Sequence, residues 1–454
     1  MKKSLFTLLS CLISLSIYGQ DIAGQWHGAL SVQGMKLRLV FHISKNADGY
    51  SATMDSPDQG AKGIPVTSAS LQDRVFKLSV SNAGIEYEGT WNGADSISGN
   101  FRQSGHTFPL NLSRATSEET RLIRPQEPQP PYPYLAEEVA FENAEDGIRL
   151  AGTLTMPAAG GNFPAAVLIS GSGPQNRDEE VMSHKPFWIL ADFLTRNGIA
   201  VLRFDDRGTA ASTGQFSTAT SFDFSKDAES AVKYLQTRKE IDNKKIGLIG
   251  HSEGGLIAPM LAARSGDIAF IVMLAGTGLR GNEILLAQQE AIGRASGVND
   301  TILQAVLDTN RKAFDIIINT EPNEHRASII RLIKDVDAKA TDEEIDAQIS
   351  NLFSPWTQYF LKYDPAPALK KVKCPVLALN GEKDLQVLPK LNLEAIAKAL
   401  SEGGNRNVTV KELPGLNHLF QECKTGLPAE YSSIEQTFAP SAMAEIAGYI
   451  LSLN

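Results

Sequence analysis

Five residues, Gly250-His251-Ser252-Glu253-Gly254, form a G-x-S-x-G pentapeptide. The apolar run Lys245-Ile246-Gly247-Leu248-Ile249 precedes it, and the small-residue stretch Leu256 to Arg264 follows. A serine held between a strand and a helix can act as a nucleophile. Its turn must be tight enough to project Oγ above the sheet. The positions two before and two after it then pass too close to neighbouring strands for large side chains, hence glycine at both. The following helix aims its N-terminus at the place where negative charge develops. The pentapeptide also arises by chance; the strand before and the helix after separate it from a plain loop serine.

A hydroxyl is a weak nucleophile until a base takes its proton. Of the seven histidines, only His418 follows Ser252 in a turn-like setting near the chain end, in Leu413-Pro414-Gly415-Leu416-Asn417-His418-Leu419-Phe420. His251 adjoins the serine, so its ring should point away from Oγ. His325 falls in a helical stretch where a surface position is the default. His27, His42 and His106 belong to an all-β segment, and His184 is a candidate for lining the pocket. The orienting acid is expected at Asp384, in Asn380-Gly381-Glu382-Lys383-Asp384 after the strand Val376 to Leu379; Glu382 is its competitor. Loops at the carboxyl ends of parallel strands converge on one edge of a sheet, which brings Ser252, Asp384 and His418 together. The oxyanion hole needs two backbone donors. These are the N–H of Glu253 and that of Ser172, in Ser170-Gly171-Ser172-Gly173-Pro174. Losing one such donor typically costs about 10²–10³ in rate. This chemistry needs no metal or cofactor.

The elements that must position these groups begin near residue 135. Ala165 to Ile169, Ala200 to Phe204, Lys245 to Ile249, Ala269 to Leu274 and Val376 to Leu379 read as strands. Phe187 to Asn197, Asp223 to Arg238 and Leu256 to Arg264 read as helices. Continuous apolar strands alternating with helices predict a mainly parallel sheet covered on both faces. Between about 280 and 368 no strand pattern appears, so residues 135–454 form an α/β domain with a helical insertion, including helices over Glu283 to Ala295 and Asp342 to Leu352.

Residues 20–114 differ in texture. Lys36 to Ile43 nearly alternates, and turn clusters such as Asn46-Ala47-Asp48-Gly49 and Asn92-Gly93-Ala94-Asp95 recur. This predicts a small antiparallel barrel or sandwich with Trp26 and Trp91 as core anchors. Residues 115–134, with Arg124-Pro125-Gln126-Glu127-Pro128-Gln129-Pro130-Pro131-Tyr132-Pro133, read as an extended spacer, because proline lacks the backbone donor. Residues 1–19 carry Lys2 and Lys3, an apolar run from Leu5 to Ile17, and Gly19, the order of a secretory signal. The rival reading is a lipoprotein signal using Cys11. The expected location is periplasmic or extracellular.

A formal net charge of -9 excludes a typical nucleic-acid binder. A 42% hydrophobic content supports a full core. After the signal, no stretch is long and apolar enough to span a bilayer. Cys374 and Cys423 are expected as free thiols, because they fall at opposite ends of a strand about 16 Å long. Nothing in the sequence sets an oligomeric state.

With these residues in hand, 135–454 resembles the α/β-hydrolase superfamily, on the branch of bacterial serine esterases and serine aminopeptidase-like hydrolases. The whole chain is similar to two-domain secreted carboxylesterases of the EstD type. The matching pieces are Gly250 to Gly254, Ser170 to Gln175, Asn380 to Asp384 and Asn417-His418. The resemblance implies Ser252 as nucleophile, His418 as base and Asp384 as acid. Two departures stand out: Ser170-Gly171 replaces the usual His-Gly, and Asp205-Asp206-Arg207-Gly208-Thr209-Ala210-Ala211-Ser212 has Ala210 where the usual Asp-x-Arg-Gly-x-Gly-x-Ser has its second glycine. The expected function is hydrolysis of small-molecule carboxylic esters with small or medium acyl groups. The alternatives are a serine exopeptidase or amidase, and a non-catalytic glycan-binding or scaffolding protein. The acids from Asp335 to Asp346 could hold a substrate amine, but a solvated helix face explains them more simply.

Overall fold

The computed structural model describes residues 21–453 apart from 33–34, 47–48, 58–60, 94, 104–105, 115–123, 337 and 339. The expected signal at 1–19, with Cys11, and the first part of the expected spacer lie outside the described residues.

The alternating N-terminal segment folds as antiparallel strands β1 (Gly24–Val32), β2 (Met35–Asn46), β3 (Gly49–Ser56), β4 (Ala61–Pro65), β5 (Ser68–Gln72), β6 (Val75–Val80), β7 (Ile85–Trp91), β8 (Ser96–Gln103) and β9 (His106–Ser113). Each pairs with its neighbours around the sheet, and β2 also pairs with β3, which closes a barrel. Alternation sends Ile85 and Tyr87 inward and Glu86 and Glu88 outward. Trp26, Phe41, Phe76, Tyr87, Ile97 and Leu110 fill the interior, so this barrel has a packed core like other small ones. Trp26 is the anchor expected, with Nε1 donating to Ile22 O at 2.7 Å. Trp91 is only partly buried at the rim of that core.

The second sheet contains β10 (Tyr134–Asn143), β11 (Ile148–Pro157), β12 (Phe163–Ile169), β13 (Ala200–Phe204), β14 (Ile241–His251), β15 (Ile271–Leu274), β16 (Val376–Gly381) and β17 (Val408–Leu413). Its order is β10-β11-β13-β12-β14-β15-β16-β17. β10 and β11 are antiparallel, and all pairs from β13 through β17 are parallel. The apolar runs follow from double-sided burial. Ala165, Val167 and Ile169 of β12 pack into one core with α2 (Ser221–Gln236), α3 (Glu253–Ala262) and α10 (Pro389–Glu402). Ala166 and Leu168 face the other core, with α1 (Pro186–Arg196) and α11 (Pro440–Ser452). Period two thus splits one strand between two layers, and no polar face is left.

Between β15 and β16 the chain leaves the sheet and forms α4 (Gly281–Ala295), α5 (Asp300–Asn319), α6 (Pro322–Val336), α7 (Asp342–Ile349), α8 (Pro355–Lys362) and α9 (Ala366–Leu369). Phe314, Ile317, Ile329, Ile345 and Leu361 give this insertion a core of its own. Cys374 and Cys423 are both free thiols.

The proline-rich stretch 124–133 forms neither helix nor strand, as its sequence requires, but it is not a free spacer. Arg124 donates to the carbonyls of Met182, Ser183, Ser432 and Ile434. Gln126 accepts from the N–H groups of Thr437 and Phe438, at 2.6 and 3.0 Å, and donates to Phe438 O. From the barrel, Arg38 donates to Ser183 Oγ at 3.0 Å. The stretch is a strap that ties two loops of the α/β domain together.

The Asp205–Ser212 loop shows how the departure at Ala210 is accommodated. Asp205 takes a two-pronged ion pair from Arg177, and Arg207 makes one to buried Asp227. Ser212 Oγ donates to Asp205 O and accepts from Ala151 N. Within that frame Ala210 is held at φ 47°, the left-handed region where a Cβ is unfavourable. Its side chain is exposed, so its methyl contributes little packing. Replacing Ala210 by Gly should raise unfolding free energy by about 0.5–1 kcal/mol, the relief of strain exceeding the added chain entropy. Urea denaturation of the two proteins checks this; a lower midpoint in A210G would contradict it.

Candidate active site

β14 ends at His251 and α3 begins at Glu253, which leaves Ser252 alone in the turn. Its backbone sits at φ 52°, ψ −114°, a strained conformation for a residue with a Cβ. Ser252 N is anchored to Leu274 O of β15 at 2.8 Å. The flanking glycines are forced by close approach. A Cβ on Gly254 would lie 2.0 Å from Ile169 O of β12, as the strand-contact reading expects. At Gly250 the clash is different: a Cβ would lie 2.0 Å from Gly254 O, because the new helix folds back onto the strand that precedes it.

Asp384 and His418 lie in the loops after β16 and β17. His418 Nδ1 and Asp384 Oδ2 are 2.8 Å apart, and both side chains are buried. The other carboxylate oxygen, Oδ1, accepts from the N–H groups of Gln386 and Val387 at 2.8 and 2.9 Å. A carboxylate so held can orient an imidazole by accepting its Nδ1–H and leave Nε2 for proton transfer. The competing acid, Glu382, is engaged elsewhere: it accepts from Gly415 N at 2.8 Å. Together with Lys383 N donating to Leu416 O at 2.9 Å, it laces the acid loop to the base loop. Buried Asn417 shapes the base loop by accepting from Leu419 N and Gln421 N. Among the described residues, Ser252 Oγ makes no hydrogen bond.

Gly171 packs beside the nucleophile, where a Cβ on it would lie 3.3 Å from Ser252 Cβ, and its N–H donates to Glu179 Oε1 at 2.6 Å. The next N–H, that of Ser172, has no acceptor among the described residues, nor has that of Glu253. Those are the two donors expected for an oxyanion. The Glu253 side chain turns the other way, into the interior. Its Oε1 accepts from Ser221 Oγ at 2.5 Å and from Trp356 Nε1 of α8 at 2.7 Å, and burial raises its pKa. Trp356 therefore joins the insertion to the residue after the nucleophile. Neither Glu179 nor Trp356 was legible as a site residue, since no motif spacing links them to Ser252.

A family model for X-Pro dipeptidyl-peptidases, the S15 family, matches residues 146–409. The chain belongs to that family. The match takes in Ser252 and Asp384 and stops short of His418. Esterase EstD of Thermotoga maritima is 29% identical over 324 residues, covering 70% of this chain and 67% of that protein. An uncharacterized 31.7 kDa protein of Escherichia coli is 25% identical over 218 residues, covering 47% of this chain and 72% of that one. Among solved structures, a hypothetical protein of Pseudomonas aeruginosa aligns at 17% identity and TM-score 0.46, over 71% of this chain and 94% of that chain. An esterase of Pyrococcus furiosus aligns at 15% identity and TM-score 0.43, over 70% of this chain and 91% of that chain. This S15-family chain is a serine hydrolase of the α/β-hydrolase fold, with an all-β barrel in front.

The remaining histidines sort by environment. His251 does not bond to Ser252, but it is not turned out of the site either: its ring lies 4.8 Å from that of His418. His325 is buried, not on the surface, with Nε2 at 3.1 Å from Thr320 O. Its helix packs that face against the insertion's own core, which helical position alone did not disclose. His184 is a clamp between loops, with Nδ1 2.8 Å from Thr437 Oγ1 and Nε2 3.0 Å from Tyr431 O. Among the described residues, no three His, Cys, Asp or Glu side chains are grouped to hold a metal ion. No described helix is long and apolar enough to cross a membrane.

Burial, with Arg124 nearby, lowers the His184 pKa to about 4. The unfolded chain binds that proton near pH 6.5, so between these values the unfolded state holds more protons and acid destabilises the fold. The contribution is whole above about pH 6.5 and falls by about 3 kcal/mol on reaching pH 4. Urea midpoints measured from pH 7 to pH 4.5 should drop less steeply in His184→Gln than in the parent. Equal slopes would contradict this assignment.

Proposed function

We propose that this protein hydrolyses carboxylic esters of small or medium acyl groups through an acyl-enzyme on Ser252. The observation that carries the reading is the His418–Asp384 contact of 2.8 Å, made by loops on the same sheet edge as the Ser252 turn. His418 takes the Ser252 proton as Oγ attacks the ester carbonyl carbon. The developing oxyanion accepts from the N–H groups of Ser172 and Glu253. His418 then gives its proton to the leaving alkoxide, and the acyl group stays on Oγ. Water, deprotonated by His418, attacks the acyl carbon and releases the acid. The absence of a Ser252 hydrogen bond is compatible with this role, because nucleophile–base contacts tighten in the substrate complex. Asp384 holds the imidazole upright and stabilises its charged form.

The relative named as an esterase supports the ester over the amide. The family's name, X-Pro dipeptidyl-peptidase, favours the second reading, a serine exopeptidase. Such an enzyme must hold a substrate amine. Two of the acids in Asp335 to Asp346 are engaged on the outer surface: Asp342 pairs with Lys334 and Asp346 with Arg326, all in exposed or half-exposed positions. They fit a solvated helix face. The insertion would act as a lid that sets acyl-chain length, with Trp356 and Phe360 stacked over α3 near the nucleophile. Lys2, Lys3, the apolar run and Gly19 support export to the periplasm or beyond.

Ser252→Ala should lower kcat on a p-nitrophenyl ester by about 10⁴-fold or more, and Asp384→Asn by about 10³–10⁴-fold. Parent protein should turn over p-nitrophenyl esters of two to eight carbons faster than aminoacyl-nitroanilides. Faster anilide cleavage would favour the exopeptidase. Persistent ester turnover in Ser252→Ala would remove the mechanism altogether.

A further inference from the structure

We infer that Glu179 and His251 form a buried carboxylate–imidazolium pair that positions the oxyanion loop after β12 and the base loop around Ser252. This rests on the acyl-transfer reading above. The pair lies outside the nucleophile, base and acid, and it joins three segments: the Ser252 turn, the Gly171 loop that precedes the Ser172 donor, and the base loop.

His251 has an acceptor at each ring nitrogen. Nε2 is 2.9 Å from the backbone carbonyl of His418, which can only accept, so Nε2 carries a proton. Nδ1 is 2.9 Å from Glu179 Oε1. That same oxygen already accepts the Gly171 N–H at 2.6 Å, so it faces the ring as an acceptor. Both ring nitrogens donate, and the ring is an imidazolium. Glu179 and His251 are both buried, where a lone charge of either sign would be costly and a hydrogen-bonded pair is not. Desolvation of the ring opposes its charge, but the Glu179 carboxylate, the His418 carbonyl and Asp384 together outweigh it, and the His251 pKa is raised.

The connections have a mechanical consequence. With the Gly171 N–H turned onto Glu179, the following peptide presents the Ser172 N–H as the free donor. With the His418 carbonyl held by His251, the base loop is fixed from beneath while Asp384 fixes its ring from the side. Glu179 is itself kept at φ 51°, in a segment where Met182 and Ser183 also have positive φ. Such strain persists only where surroundings hold it; here Arg124 of the strap grips the Met182 and Ser183 carbonyls. The charged or titratable groups facing the His251 ring are Glu179 from this segment, Asp384 from the loop after β16 and His418 from the loop after β17. Phe420 covers its edge at a centroid distance of 6.3 Å. A cation beside His418 offsets the Glu179 charge.

Two measurements test this. In ¹⁵N-histidine NMR of the full-length Ser252→Ala protein, one ring should hold protons on both nitrogens from about pH 6 to 8, beyond an unperturbed histidine's range. That signal should vanish in the Ser252→Ala, His251→Gln protein. A neutral His251 ring at pH 7 would overturn the proposal. In kinetics with p-nitrophenyl butyrate, Glu179→Gln and His251→Gln should each lose about ten- to a hundredfold in kcat with KM unchanged. The double variant should lose no more than the worse single one. Near-ultraviolet circular dichroism identifies any variant that has not folded, and the NMR arm then decides. Should Ser252→Ala be inactive while both glutamine variants match the parent, the acyl-transfer reading stands and the positioning pair falls. Should Ser252→Ala remain active, both fall.

Discussion

Parallel strands deliver all their carboxyl ends to one edge, and the candidate site depends on that constraint. β12, β14, β15, β16 and β17 run the same way in register. Residues about 250 positions apart in sequence, from Ser170 to His418, therefore emerge side by side. The register is strongly fixed, because alternate residues of β12 belong to two different cores. A slip by one residue would exchange those layers. The tight turn at Ser252 adds the second condition: Gly250 and Gly254 let the helix start close enough to the sheet for its first N–H to face the reacting position.

Much of this arrangement could be read from residue order. Unbroken apolar runs marked the central strands because both their faces are buried. The antiparallel strands β10 and β11 and the edge strand β17 carried no such mark. β17 buries little beyond Leu413, so its sequence, Val-Thr-Val-Lys-Glu-Leu, is not a continuous apolar run. Asp384 was distinguishable from Glu382 only by its place in the loop; in the structure the two carboxylates have separate tasks, one at the ring and one at the Gly415 N–H.

What stayed hidden depended on contacts between distant, irregular segments. Glu179 lies in a loop without periodicity, and its partners are a backbone N–H and a histidine 72 positions away. Arg124 was read as part of a spacer because proline excludes helix and sheet, and that exclusion says nothing about docking. His325 was assigned to the surface by default, since amphipathic position cannot show which face meets a second helix layer. In each case composition limited the backbone and tertiary packing chose the partner.

On the proposed function, the Ser252 hydroxyl at the sheet edge becomes an acyl acceptor facing two waiting N–H donors. A crystal structure of the protein after reaction with a p-nitrophenyl alkylphosphonate tests it most directly. Phosphorus should be bonded to Ser252 Oγ, with its anionic oxygen about 2.7–3.1 Å from the nitrogens of Ser172 and Glu253. An adduct on another residue, or an oxygen turned away from both donors, would contradict it.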